Sequence, residues 1–261
     1  MIDYRGSTVL ITGASSGLGA EFAEQLAARG ANLILVARRV DRLEALKGAL
    51  EAKHAVTATV IAADLAAAGA ASTLATKVRK LKLPVHSLIN NAGFGTHNHF
   101  GDEDAEQLHA EVALNVAAVV DLTKAFWPEL LEHGTGALVN VSSSAGFQPV
   151  PKMAVYAATK AFVLSFTEAL WYEAKGSGLK VLAFCPGATE TEFFDTSGPG
   201  ARIGKTASAH DAVQMALTTL DRRNPPPSVI NGLGNRAQIW AERLISRRLL
   251  VTASGALTKG R

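Results

Sequence analysis

Tyr156 and Lys160 stand four apart in a run with helical patterning, so their side chains share one face of a helix. The spacing has a chemical use. A phenol titrates near about pH 10 in water, which makes it a poor base and a slow proton donor at neutrality. An ammonium group held close by stabilises the phenolate and draws that value toward working pH. Alone, Tyr-x-x-x-Lys is an ordinary helix-surface pair; its company gives it weight. Ser142, Ser143 and Ser144 end an apolar run just upstream, and Asn115 lies midway along a long helical stretch. Near the N-terminus, Thr12-Gly13-Ala14-Ser15-Ser16-Gly17-Leu18-Gly19 joins an apolar run to a helical one. Glycines there let the backbone turn tightly and approach a pyrophosphate, while the helix start offers free amides and the positive end of its dipole.

The elements that must position these groups alternate. Short β-branched, apolar runs predict strands at 8–12, 32–37, 56–62, 85–90, 137–142, 180–185 and 228–231. Helical patterns predict helices at 17–29, 41–52, 66–81, 104–133, 154–175 and 208–222. Asp41 is placed to cap the second helix, and Asp102, Glu103 and Asp104 put acids where a helix dipole favours them. Gly30, Gly134, Gly176 and Gly178 sit where helices must stop, and Pro225, Pro226 and Pro227 form a stiff connector. The alternation reads as a doubly wound α/β fold, a mostly seven-stranded parallel sheet covered on both faces by helices.

The second run ends Val36-Ala37-Arg38-Arg39. A carboxylate at this place would bond the ribose 2′-hydroxyl of NAD and repel a 2′-phosphate. Two guanidiniums stand there instead, and arginine matches phosphate geometry with charge-assisted, bidentate bonds. The expected cofactor is therefore NADP(H), unless both arginines only line a solvated loop.

The glycine spacing is Gly-x-x-x-Gly-x-Gly rather than Gly-x-Gly-x-x-Gly. Asn90-Asn91-Ala92-Gly93 ends the fourth strand, and Pro186-Gly187-Ala188-Thr189 follows the sixth. With Thr12, Asn115, the serines and Tyr156-x-x-x-Lys160, the set resembles the short-chain dehydrogenase/reductase family over residues 5–232. The resemblance implies a Rossmann-type fold and an NADP(H)-dependent oxidoreductase that reduces a carbonyl or oxidises the matching secondary alcohol.

The same resemblance implies a catalytic set of Asn115, Ser143, Tyr156 and Lys160. Ser143 precedes Tyr156 by the family's interval and would hold the substrate oxygen; Ser142 and Ser144 then read as strand-end residues bonded to nearby backbone. Lys160 would also bond the nicotinamide ribose, and an oxidised nicotinamide would help to draw Tyr156 down. Asn115 would hold a water that links Lys160 to solvent. The cofactor would be held by Gly13, Ser15, Ser16, Gly17, Leu18 and Gly19, by Arg38, Arg39, Asp64 and Leu65, by Asn91, Ala92 and Gly93, by Tyr156 and Lys160, and by Pro186, Gly187, Thr189 and Thr191. Otherwise Asp64 reads as a helix N-cap, Thr189 as a loop cap and Asn115 as a buried asparagine bonded to backbone. Members of the family pair through the two long helices, here 104–133 and 154–175, which implies a homodimer or homotetramer.

At 261 residues, 48% hydrophobic and 19% charged, the chain suits one globular domain over 1–261. No stretch approaches the roughly 18 apolar residues of a membrane span. The first residues lack a secretory pattern, and the single cysteine, Cys185, rules out an internal disulfide, so a cytoplasmic location is expected. Cys185 itself ends an apolar strand and reads as a packing residue. A net charge of +3 is too small to argue for nucleic acid. His97-Asn98-His99 lacks a third ligand at metal spacing, so no metal is expected and a place beside the substrate mouth suits it better. A non-catalytic NADP(H)-binding sensor or scaffold would have no need of the intact Ser143, Tyr156, Lys160 and Asn115 set. Epimerases and dehydratases of the extended type use another glycine spacing and a longer C-terminal part. Arg38 and Arg39 count against an NAD-linked alcohol dehydrogenase.

The stretch 146–153, with Phe94, Phe193 and Phe194, is expected to wall an apolar substrate site, which points to a hydrophobic small molecule. Residues 191–206, rich in Gly, Ser and Thr, read as a lid. From 229 to 261 the chain carries Arg236, Arg243, Arg247, Arg248, Lys259 and Arg261 against Glu242 alone, a balance of +5 that leaves −2 for the rest. Ile239, Trp240, Leu244, Ile245, Leu249 and Leu250 fall at helix-like spacing among them. This basic amphipathic tail packs on the domain body or a second subunit, or else rests weakly on an anionic membrane surface, as would suit a lipid-like substrate.

Overall fold

The β-branched runs pair as β1 Thr8–Thr12, β2 Asn32–Ala37, β3 Ala58–Ala62, β4 Ser87–Asn90, β5 Ala137–Val141, β6 Lys180–Cys185 and β7 Ser228–Ile230. These come from a computed structural model that describes residues 1–201, 206–242 and 244–258. The strands form one parallel sheet in the order β3-β2-β1-β4-β5-β6-β7. Between and after them run α1 Gly17–Ala28, α2 Val40–His54, α3 Ala70–Lys80, α4 Ala105–Val112, α5 Ala118–His133, α6 Ala154–Glu173, α7 Phe193–Ser197, α8 Ala209–Leu220, α9 Leu233–Glu242 and α10 Arg247–Thr258.

Strand alternation sorts side chains into two cores. Val9, Ile11, Leu33 and Leu35 join Phe22 and Leu26 of α1, Leu43 and Leu50 of α2, and Val213 and Leu217 of α8. Their neighbours Leu10, Ile34 and Val36 turn to the opposite face, against Leu74 and Val78 of α3 and Leu122, Phe126 and Leu130 of α5. Phe22 and Phe126 are fully enclosed, one in each core, and truncating either to alanine costs about 3–5 kcal/mol. A buried polar chain ties the central strands to the second face. Asn90 Nδ2 donates to Thr123 Oγ1 (3.0 Å) and Asn140 Oδ1 (2.9 Å), and Asn140 Nδ2 donates to Thr167 Oγ1 (2.9 Å).

Several boundaries differ from the sequence reading. Helix α2 starts at Val40, so Asp41 lies in its first turn instead of capping it. Helix α3 starts only at Ala70, because Asp64 Oδ1 accepts from Ala66 N (3.1 Å) in a local turn and Gly69 sits at φ +72 before the helix. Asp64 therefore holds a turn and caps no helix. The helix expected over 104–133 does begin at an Asp104 cap, whose Oδ1 accepts from Gln107 N (2.8 Å). It is interrupted, however, by a π turn at Ala113–Ala117 between α4 and α5. The basic tail forms two helices, α9 and α10. The strand order reverses between β1 and β4, which opens a crevice at the carboxyl ends where such sheets place their ligands.

Candidate active site

At that crevice β1 runs into Gly13, whose φ of +65 suits glycine, and a Cβ there would come within 2.8 Å of Asn91 Nδ2. The end of β4 braces the turn. Thr12 Oγ1 accepts from Asn91 N and Ala92 N, both at 3.0 Å, and Asn91 Nδ2 donates to the carbonyls of Thr12 (2.9 Å) and Gly13 (3.3 Å). A cavity of about 670 Å³ fills the crevice, and every residue expected to bind or react lines it except Gly19 and Asn115. Gly19 packs too closely on the Gly13 carbonyl to admit any Cβ, so it shapes the turn from beneath. Asn115 lies buried behind Gly93.

The two arginines part company. Arg38 is exposed, while Arg39 folds back, its Nη2 donating to Ser15 Oγ (3.0 Å) and Ser16 Oγ (2.7 Å). Arg39 Nη1 also pairs with Glu192 Oε2 (2.7 Å), and Arg42 pairs with the other oxygen of the same carboxylate. The hydrogen bonds from Arg39 and then Arg42 hold the Glu192 carboxyl down at about 2. Glu192 and the α9 residues Asn235 and Gln238 also line the cavity and escaped the sequence reading, as did Arg42 beside it. The ion pair of Arg42 with Glu192 joins segments 150 residues apart and leaves no local pattern to find.

At the other end of the cavity, Ser143 leads into a tight turn at Ser144–Phe147, and its Oγ accepts from Ala145 N (3.1 Å). Its hydroxyl also shares the cavity wall with Tyr156 and favours the phenolate there. One turn along α6, Lys160 Nζ donates to Val141 O (2.9 Å) and sits 5.7 Å from the Tyr156 ring centre. Ser142 Oγ donates to Lys160 O (2.7 Å), the backbone role expected of a strand-end serine. Asn115 Nδ2 donates to Phe94 O (2.8 Å) and Thr159 Oγ1 (3.1 Å), and its Oδ1 accepts from Phe94 N (3.2 Å). A Cβ on Gly93 would lie 2.8 Å from Asn115 Oδ1 and 3.3 Å from Lys160 Nζ, so this glycine leaves room for both.

Burial dominates the titration of the pair. It pushes Tyr156 up to about 12 against the pull of the Ser143 hydroxyl, with the charge of Glu111 adding to the push. It pulls Lys160 down to about 8, while Glu111 pulls it back up. The downward draw on Tyr156 expected from the ammonium is therefore outweighed in the protein by itself. Burial likewise pushes the Cys185 thiol up to about 12, in keeping with a packing residue beside Leu164 and Ala183.

Phe94, Gln148, Val150, Met153, Phe193 and Phe194 wall the cavity as expected. The rest of 146–153 does not, because the tight turn and a positive φ at Lys152 swing it away. Phe147 packs near Cys185, Lys152 lines a second, smaller cavity, and Pro149 O accepts from Ser254 Oγ of α10 (2.9 Å). His97 faces Gly200, where an added Cβ would lie 2.7 Å from its Cε1, and it is off the cavity wall; His99 is exposed. No group of three or more His, Cys, Asp and Glu side chains is placed to hold a metal among the described residues. In the expected lid, Thr191, Phe193, Phe194 and Ala201 lie on the cavity, and residues 202–205 fall outside the described residues. The tail seats Ile239, Leu250 and Ser254 on the body and leaves Trp240, Leu244 and Leu249 exposed. Arg243, Lys259 and Arg261 fall outside the described residues. No helix among the described residues is long and apolar enough to cross a membrane.

Residues 7–201 match the family model described as short chain dehydrogenase. The chain belongs to the short-chain dehydrogenase family. This short-chain dehydrogenase is 36% identical over 214 residues to a sulfoacetaldehyde reductase of Chromohalobacter salexigens, covering 81% of this chain and 82% of that one. Its fold superposes on a short-chain dehydrogenase from Sphingobium yanoikuyae in complex with NADPH, with TM-score 0.83, 35% identity, and 98% and 96% of the two chains covered. A bulky-bulky ketone specific alcohol dehydrogenase from Comamonas testosteroni follows it with TM-score 0.77 and 32% identity, over 98% and 95% of the two chains.

Proposed function

We propose that this short-chain dehydrogenase is an NADP(H)-dependent reductase of a hydrophobic aldehyde or ketone, or oxidises the matching secondary alcohol in reverse. One observation carries the reading: the hydroxyls of Ser143 and Tyr156 line one cavity with Lys160, a glycine turn, a guanidinium and several apolar side chains. The residues suit the cofactor. Gly13 at φ +65 bares backbone beside the start of α1, and Ser15, Ser16 and Arg39 converge where a 2′-phosphate is expected. The NADPH held by the Sphingobium relative supports this choice.

The substrate's carbonyl oxygen accepts from Ser143 and Tyr156, donors fixed in place before the charge develops. NADPH, when held by these residues, would supply the hydride. Tyr156 gives its proton to the developing alkoxide, and Lys160, anchored on Val141 O, stabilises the phenolate that remains. Asn115 completes the route by which that proton is replaced. Phe94, Val150, Met153, Phe193 and Phe194 exclude water and select apolar substituents, and 191–206 serves as the lid.

Assembly and location complete the reading. The chain works as one domain in the cytoplasm, as a homodimer or homotetramer joined through the two long helical stretches of α4–α5 and α6, the outer face of α6 showing Phe162 stacked on Phe166 (5.8 Å) and an exposed Tyr172. The outward apolar face of the tail, with exposed Arg236, Arg247 and Arg248, rests weakly on an anionic membrane surface.

The test is consumption of NADPH against NADH with a panel of aldehydes, ketones and diketones. Turnover that prefers NADPH and bulky apolar ketones is expected. Tight NADPH binding with no turnover on any of them would favour the sensor reading instead.

A further inference from the structure

Glu111, near the end of α4, is a fully enclosed carboxyl that the reaction above does not use. Thr96 Oγ1 donates to its Oε2 (3.2 Å), and among the described residues its Oε1 meets no hydrogen-bond partner. A half-partnered carboxylate is costly to bury, and burial pushes Glu111 up to about 7. Both Lys160 and Tyr156 feel its charge.

Its position has two sides. Along the same rod, past the start of the π turn, Asn115 turns its Oδ1 toward the space that Gly93 leaves open beside Lys160 Nζ. π turns inside helices recur at functional sites because they turn one residue out of phase. On the other side, Thr96 also lines the second cavity, about 30 Å³, with Asn98, Glu103 and Lys152. That is room for a water molecule. The groups that act on Glu111 are Lys160 on α6, which favours its charged form, Glu103 ahead of α4, which opposes it, and the Thr96 hydroxyl.

We propose that Glu111 is a positioning residue for proton supply, holding the proton between the second cavity and the Lys160–Tyr156 pair. The proposal rests on the reductase reading. In reduction the Tyr156 O–H bond breaks and its proton goes to the alkoxide oxygen. The phenolate regains a proton from the Lys160 ammonium, and Lys160 regains one from the Glu111 carboxyl through the space that Asn115 Oδ1 borders. The carboxylate takes one from water in the second cavity on the Thr96 side. One proton enters for each proton delivered, and no electrons pass along this route.

Two measurements on the full chain test it. Infrared difference spectra need no substrate: the wild type should show a protonated carboxyl lost through about pH 7, absent from Glu111→Gln. That loss should move to higher pH in Lys160→Met, where the ammonium that favours the carboxylate is gone. A carboxyl band unmoved by Lys160→Met overturns the coupling, whatever the protein turns over. The second measurement is kcat against pH with NADPH and whichever panel ketone reacts fastest. Wild-type reduction should fall as Glu111 loses its proton. Glu111→Gln should lack that limb and lose about tenfold in kcat, less than a group on the reacting atoms would cost, with KM and NADPH affinity unchanged. Thr96→Val keeps the carboxyl and removes its donor, so its limb should move to higher pH even where Glu111→Gln fails to fold. A limb that stays put in both variants overturns the relay. Absence of turnover in the wild type would sink the reductase reading, and the infrared titration would still decide the coupling.

Discussion

At the scale of single residues, the proton on Tyr156 is the decisive quantity. Tyr156→Phe keeps the ring against Phe193 and removes only the hydroxyl, so kcat should fall about 10²–10⁴-fold while NADPH binding measured by fluorescence is unchanged. Retained turnover would sink the mechanism. Glu111 adds a stability signature. Its folded value of about 7 lies above the ordinary 4.5, so the folded protein keeps this proton to higher pH than the unfolded chain does. Stability is then lost as pH rises through that window and does not return above it. Glu111→Gln escapes the loss, and urea unfolding should show it more stable than the wild type by up to about 3 kcal/mol above neutrality, with the gap closing in mild acid. Tyr156 and Lys160 were legible in the sequence because their spacing along one helix already implies a shared face, and Ser143 and Asn115 because the resemblance to the family pointed to them. Glu111 and Glu192 were not, since the burial of one and the ion pair of the other depend on segments that only the fold brings near.

At the scale of elements, what a periodic pattern can carry decides what could be read. Asp104, placed by the sequence only as an acid suiting the helix dipole, caps α4 through the amide of Gln107 three residues on. The π turn at Ala113–Ala117 is invisible because apolar residues continue on both sides of the phase shift. Val56 and Val85 have strand character but stand outside the ladders of β3 and β4. In the tail, helical spacing showed an apolar face but not its division between Ile239 and Leu250, seated on the body, and Trp240 and Leu249, turned outward. Each large apolar side chain that enters a bilayer surface gains about 1.5–3 kcal/mol, and each arginine about 1 kcal/mol from anionic lipid. Flotation with vesicles of phosphatidylcholine and phosphatidylserine should carry the wild type. Trp240→Ser with Leu249→Ser should reduce the floated fraction at least about tenfold. Equal flotation would assign that face to another partner.

At the scale of the whole molecule, the alternation of strand and helix was enough for the fold, because a parallel sheet covered on both faces admits few arrangements and the reversal between β1 and β4 then places the crevice. Alternation along a chain says nothing of which distant pieces touch above that crevice. There the segment after β6 reaches the first half of the sheet through Glu192, which grips Arg39 and Arg42. The protein thus brings its own counterion to the guanidinium, and an arriving 2′-phosphate enters by ion exchange rather than by simple addition. Dissolved salt weakens the outgoing pair and the incoming pair together, so NADPH affinity should be nearly flat in ionic strength. Glu192→Gln removes the resident counterion. Calorimetry should then find NADPH bound up to about fivefold tighter at low salt, as an exposed pair allows, and weakening steeply as salt is added. Parallel salt curves for the two proteins would mean that the carboxylate never competes for the site.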